Sequence, residues 1–159
     1  GEAGSASIDA ERELTPQGID DISFAGQQFH KACEARRLVS PDLIRHSGWL
    51  RTTETADIFA GPCQSCSVLP EQALQPYGDV FGVTIMLRRL QDTHPDAEHV
   101  LLVSHQPLVS QLADYYLGIA NPVPALSPGG LFSFNMDVPA GNGGILLFWA
   151  LPPEYQAGI

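Results

Sequence analysis

Apolar and polar positions alternate along this chain with two different periods, and the switches between them divide it into elements. Ile22, Ala25, Phe29, Ala32 and Cys33 recur at helical spacing, which predicts a helix over residues 16–37, with Thr15 as its N-cap and Pro16 in its first turn. Residues 42–46 read as a short strand, and Ser47-Gly48 leads into a helix that Gly61-Pro62 ends. Residues 67–69 form a weak strand signal. Val83, Leu87 and Leu90 place one apolar face on a helix over residues 80–91. Residues 99–103 are a continuous apolar run rich in β-branched side chains, the pattern of a strand buried on both faces. A helix over 107–117 follows, ended by Gly118, and two β runs, 131–136 and 145–150, flank a Gly/Asn turn. Strands alternating with helices, then a closing β pair, predict a three-layer α/β/α sandwich with a mixed, mostly parallel central sheet.

Composition narrows the functional classes. A chain of 159 residues, 44% hydrophobic and 16% charged, has the profile of one globular domain, and no linker or repeat divides residues 1–159. The net charge of −10, with one lysine and seven arginines, speaks against nucleic acid and anionic membrane as partners, since both demand basic footprints. No apolar run approaches the roughly 20 residues that cross a bilayer. Of the three cysteines, Cys63 and Cys66 have C-x-x-C spacing, but without a second pair they do not make a zinc site. They read as loop cysteines of a reducing compartment, and the expected location is the cytoplasm. No metal or cofactor is expected.

The chemistry gathers where predicted strands hand over to helices. His105 follows the 99–103 strand at the start of a helix, the carboxyl edge at which α/β sheets place ligands and where free N–H groups favour an anion. Arg51 falls in the first turn of the helix after the 42–46 strand, at the same edge. Glu71 and Asp79 lie in the loop after the 67–69 strand. A guanidinium, an imidazole and a carboxyl group around a helix N-terminus suit phosphoryl transfer: arginine holds phosphate oxygens in a fork, histidine attacks or donates, and a carboxyl group protonates a leaving oxygen. His30, His94 and His99 read as surface or strand-end histidines.

The series Leu14-Thr15-x-x-Gly18, Ser47-x-x-Leu50-Arg51-x-x-x-Thr55-Ala56 and Val103-Ser104-His105 resembles the histidine phosphatase superfamily, with its phosphoglycerate-mutase-like fold. The short length, the Leu69-Pro70-Glu71…Gly78-Asp79-Val80 segment and Ser104-His105-x-Pro107-Leu108-Val109 resemble its small SixA-type phosphohistidine phosphatases. The resemblance implies a catalytic set of His105, Arg51 and Glu71, and phosphate binding by Arg51, His105, Gly1 and Ser47. It further implies hydrolysis of phosphohistidine on a protein through a covalent phosphohistidine intermediate, with a phosphorylated histidine-containing signalling protein as partner. Two alternatives accompany this: a broad small-molecule phosphomonoesterase of the same superfamily, and an inactive scaffold that binds phosphoproteins.

The family's nucleophile lies in an Arg-His-Gly motif at the end of a first strand. Gly1 stands where that glycine would, so the resemblance places the arginine, the nucleophile and their strand upstream of residue 1. Arg45-His46-Ser47-Gly48 imitates the motif, but the register of Ser47 to Arg51 fits the second motif better. His46 is then expected at the pocket rim, and is the reserve nucleophile if no upstream segment exists.

Overall fold

The computed structural model describes residues 9–61, 65–155 and 158. Helix α1, Pro16–Ala35, begins as expected, with the Thr15 hydroxyl accepting the Gly18 N–H at 3.0 Å. Then follow β1 (Leu43–His46), α2 (Leu50–Ala60), β2 (Ser67–Pro70), a short 3-10 turn at Gln72–Leu74, α3 (Val80–Thr93), β3 (Val100–Val103), α4 (Leu108–Leu117), β4 (Leu131–Met136) and β5 (Gly144–Ala150). Every element read from the pattern is present, with ends moved by a few residues.

The central strand of the parallel sheet is β1, flanked by β2 and β3, and its residues alternate between two helical layers. Leu43 packs with Leu74, Val83, Met86, Leu90, Leu108 and Tyr116, beneath α3 and α4. On the opposite face Leu101, the register partner of Ile44, joins Ala25, Phe29 and Cys33 of α1 and Phe59 of α2. The three layers are therefore as expected. Burial pushes the Cys33 thiol up to about 11, so it is a packed, protonated group.

The β pair departs from the expected single mixed sheet. Among the described residues β4 and β5 pair only with each other, antiparallel, apart from a bridge from Trp149 to Gly158. Between β3 and β4 lies a cleft of about 320 Å3 lined by both strands, Leu101 and Leu102 on one side and Phe132 and Phe134 on the other. Pattern alone predicts strands, not partners, because pairing is set by contacts remote in sequence.

Helix α4 stops at Gly118, whose φ of +75° needs a residue without a Cβ penalty. A Cβ there would also run into the Asn142 side chain. Gly118→Ala is expected to cost at least about 1–2 kcal/mol, the left-handed penalty alone, read as a lower urea midpoint at unchanged slope.

Candidate active site

The four-residue strands β1 and β3 run parallel and in register, His46 opposite Val103, so their carboxyl ends release the chain at one level. Ser47-Gly48-Trp49 turns from β1 into α2, Gly48 adopting φ +86°, and brings Arg51 into the first turn of that helix. Ser104 to Pro107 connects β3 to α4, with the Ser104 hydroxyl donating to the Leu74 carbonyl at 2.6 Å. These two turns bring His105 and Ser47 within hydrogen-bonding distance, Nε2 to Oγ at 2.7 Å. Trp49 meets the His105 ring edge-on, centroids 4.9 Å apart, and the Arg51 guanidinium lies 5.7 Å from the Trp49 ring. Arg51, His105 and Ser47 thus form one cluster.

Arg51 already holds an anion. Its Nη1 donates to the Asp9 carboxylate and to the Asp9 carbonyl, both at 3.0 Å, and this hydrogen bond draws the Asp9 carboxyl below its usual range. Asp9 is 39% exposed, so the contact is solvent-screened and open to displacement by a phosphoryl group that offers more oxygens. Nothing in the pattern around Asp9 pointed to it, because the pairing spans 42 residues.

His105 is held neutral. Burial lowers its pKa, the Arg51 charge lowers it further, and Asp9 works the other way. His46 is lowered as well, chiefly by burial, with Asp57 raising and Arg45 lowering it. It is 5% exposed and its Nδ1 accepts the Gly48 N–H at 3.1 Å, so it is a buried turn-forming residue, not the rim residue expected. A histidine that is neutral when folded but has a pKa of about 6.5 unfolded takes up a proton on unfolding. Stability is accordingly expected to fall as pH drops below about 7. Denaturation midpoints at pH 7 and pH 5 measure this, and His46→Asn should flatten the dependence.

Other expected groups are engaged differently. Ser47 is 1% exposed and its hydroxyl is shared among Thr52, His105 and the Trp49 N–H. Glu71 leaves β2 with its N–H on the His46 carbonyl, but its carboxylate accepts from Arg89 at 2.6 Å and lies 4.0 Å from Arg45. Asp79 is the N-cap of α3, accepting the Gly82 N–H at 2.8 Å. An Asp immediately before an apolar helical run is a readable capping signal. Gly1 and Cys63 lie outside the described residues. Among the described residues no group of three or more His, Cys, Asp or Glu is placed to hold a metal ion, and no helix is long and apolar enough to cross a membrane.

No protein-family model and no curated protein matches the sequence. Solved structures do match. The chain superposes on the protein histidine phosphatase SixA complexed with tungstate at a TM-score of 0.71, with 24% identity, covering 94% of this chain and 90% of that one. A candidate phosphohistidine phosphatase SixA from Nakamurella multipartitia gives 0.69 at 21% identity, covering 94% and 90%. A mutant phosphoserine phosphatase from Entamoeba histolytica in complex with phosphoserine gives 0.59 at 16% identity, covering 86% and 83%. With superposition over nine-tenths of the chain, the protein has the phosphoglycerate-mutase-like fold of these phosphatases.

Proposed function

We propose that this protein is a phosphatase that removes phosphoryl groups from phosphohistidine on a protein, through a phosphohistidine intermediate of its own. The observation that carries the reading is the placement of Arg51 and His105 in one cluster, joined through Trp49, at the common carboxyl edge of β1 and β3, beside the start of α4. Arg51 would take the phosphoryl oxygens in place of Asp9, and His105 would add a second donor, spreading the charge of the transition state over both. Similarity to SixA, seen with tungstate, supports an oxoanion at such a site.

The nucleophile belongs, on this reading, to an additional strand preceding Gly1. The cleft between β3 and β4 supports it: two strand edges face it without a ladder partner among the described residues, and Leu101, Leu102, Phe132 and Phe134 are among its walls. A strand inserted there would join the parallel sheet to the β4–β5 pair and bring its carboxyl end to the level of His105. The attacking imidazole nitrogen forms a bond to phosphorus as the P–N bond to the substrate imidazole breaks. Water then cleaves the intermediate, releasing phosphate and restoring the free histidine. The connection from β2 to α3, Glu71 to Asp79, holds only a single 3-10 turn, which leaves an open approach suited to a protein surface.

The matched phosphoserine phosphatase, bound to phosphoserine, favours a second reading, a small-molecule phosphomonoesterase. Incubation of the full-length protein with a 32P-labelled phosphohistidine domain and with a labelled sugar phosphate decides between them. The expected result is an acid-labile phosphoenzyme and much faster turnover with the phosphohistidine domain. Faster turnover of the sugar phosphate supports the second reading, and no phosphoenzyme with either substrate leaves the phosphoprotein-binding scaffold.

A further inference from the structure

Behind His105 the hydroxyl groups of Ser47 and Thr52 form a short chain whose far end dictates where each proton lies. The Trp49 carbonyl accepts the Thr53 N–H at 2.9 Å, the Thr53 hydroxyl at 3.0 Å and the Thr52 hydroxyl at 2.8 Å. The Thr52 contact is the shortest of these, and two oxygens that close need a proton between them, which only the Thr52 hydroxyl can supply. Thr52 has a single hydroxyl proton, and the carbonyl takes it. Towards Ser47, 2.8 Å away, Thr52 can therefore only accept, and Ser47 must donate. The Ser47 oxygen then accepts the Trp49 N–H at 3.3 Å and faces His105 Nε2 at 2.7 Å with a lone pair. That last contact is a hydrogen bond only when Nε2 bears the proton. Ser47 and Thr52 are 1% and 5% exposed, so water has no room to replace a link.

We propose that Ser47 and Thr52 are positioning residues that lock His105 in its Nε2–H tautomer, making Nδ1 the atom that meets the ligand's anionic group and coupling oxoanion binding to protonation at Nδ1. The identity of the ligand rests on the phosphatase reading; the tautomer rests on the hydrogen bonds alone. Nδ1 has no hydrogen-bond partner among the described residues. In the neutral ring it carries a lone pair, which repels an oxoanion, whereas in the imidazolium it is a donor. The charged groups that face the ring are Arg51 on α2, which opposes the imidazolium, and Asp9 on the N-terminal segment, which favours it; Trp49 adds an uncharged ring edge. An oxoanion that displaces Asp9 from Arg51 supplies the countercharge in its place.

Long-range 1H–15N spectra of the full-length protein above pH 7.5 test the lock directly. The expected pattern is a protonated Nε2 and an unprotonated Nδ1 at His105. Ser47→Ala and Thr52→Val should each populate the Nδ1–H tautomer, while Thr52→Ser, which keeps the hydroxyl, should not. A wild-type ring in the Nδ1–H form, or a tautomer unmoved by both Ser47→Ala and Thr52→Val, overturns the lock; the wild-type spectrum alone decides if the variants do not fold. Titration with tungstate should then raise the His105 pKa by about one unit, the response to a nearby opposite charge. A correct tautomer with no response to tungstate overturns the coupling, and with it the phosphatase reading, while leaving the lock intact.

Discussion

His105→Ala is expected to lower turnover of a phosphorylated protein at least a hundredfold. Removing one preorganised donor from a developing oxyanion costs about a hundred- to a thousandfold in other enzymes, and His105 is the donor clustered with Arg51 here. The substitution also removes the partner of the Ser47 hydroxyl and the edge contact to Trp49, so part of any loss could come from a disturbed turn. His105→Gln separates the two, since its amide can still meet Ser47 but cannot become a cation. If turnover falls alike in both variants while their melting temperatures stay near the wild type, the missing function is the imidazolium. Unchanged turnover in His105→Ala would show that the site lies elsewhere. Arg51→Ala is expected to fall with it and to raise KM as well, because a guanidinium binds the ground-state phosphate in addition to the transition state.

What the sequence makes legible follows the range of each interaction. Helix α1 was readable because its signals are local: a Thr15 cap, Pro16 beside it, and apolar residues at 22, 25, 29 and 33 that turn to one face. His105 and Arg51 were readable for the same reason, each fixed by a strand-to-helix junction a few residues long. Arg45 was not. It looked like part of a motif decoy at a strand end, and is instead 1% exposed, its charge faced by Glu71, which Arg89 also pairs with. Period-two alternation does place Arg45 on the Leu43 face, towards α3, and His46 on the other. Only the fold shows that this face brings Glu71, from the connection after β2, against Arg45, with Arg89 of α3 behind it. The Asp9–Arg51 contact, the Ser47–His105 bond and the separation of β4–β5 from the parallel sheet are likewise products of chain segments that meet over long sequence distances.

Glu71→Ala is expected to act on stability first, and this distinguishes a countercharge from a proton donor. Arg45 donates from Nη1 to the Ser67 carbonyl at 2.7 Å and to the Ile44 carbonyl at 3.1 Å, yet its Nε has no hydrogen-bond partner, and burial pushes its pKa down. The countercharge to the guanidinium in this setting is the Glu71 carboxylate at 4.0 Å, itself 17% exposed. Taking one partner from a fully buried pair costs about 3–5 kcal/mol, since an uncompensated charge is left behind. The 4.0 Å gap and the partial exposure of Glu71 reduce this to about 2–3 kcal/mol, or about 4–12 °C in Tm for a domain of this size. Arg89→Ala removes only the outer partner, which is 51% exposed, and is expected to cost less than about 1 kcal/mol. Replacing the inner pair together, Arg45→Met with Glu71→Leu, should recover most of the loss, because matched apolar side chains abolish the buried charge along with its countercharge. Melting curves and turnover measured on the same variants then divide the roles. A large fall in Tm with kcat retained at low temperature makes Glu71 the countercharge of Arg45. An unchanged Tm with kcat down a hundredfold returns it to the chemistry as the acid that protonates the leaving group.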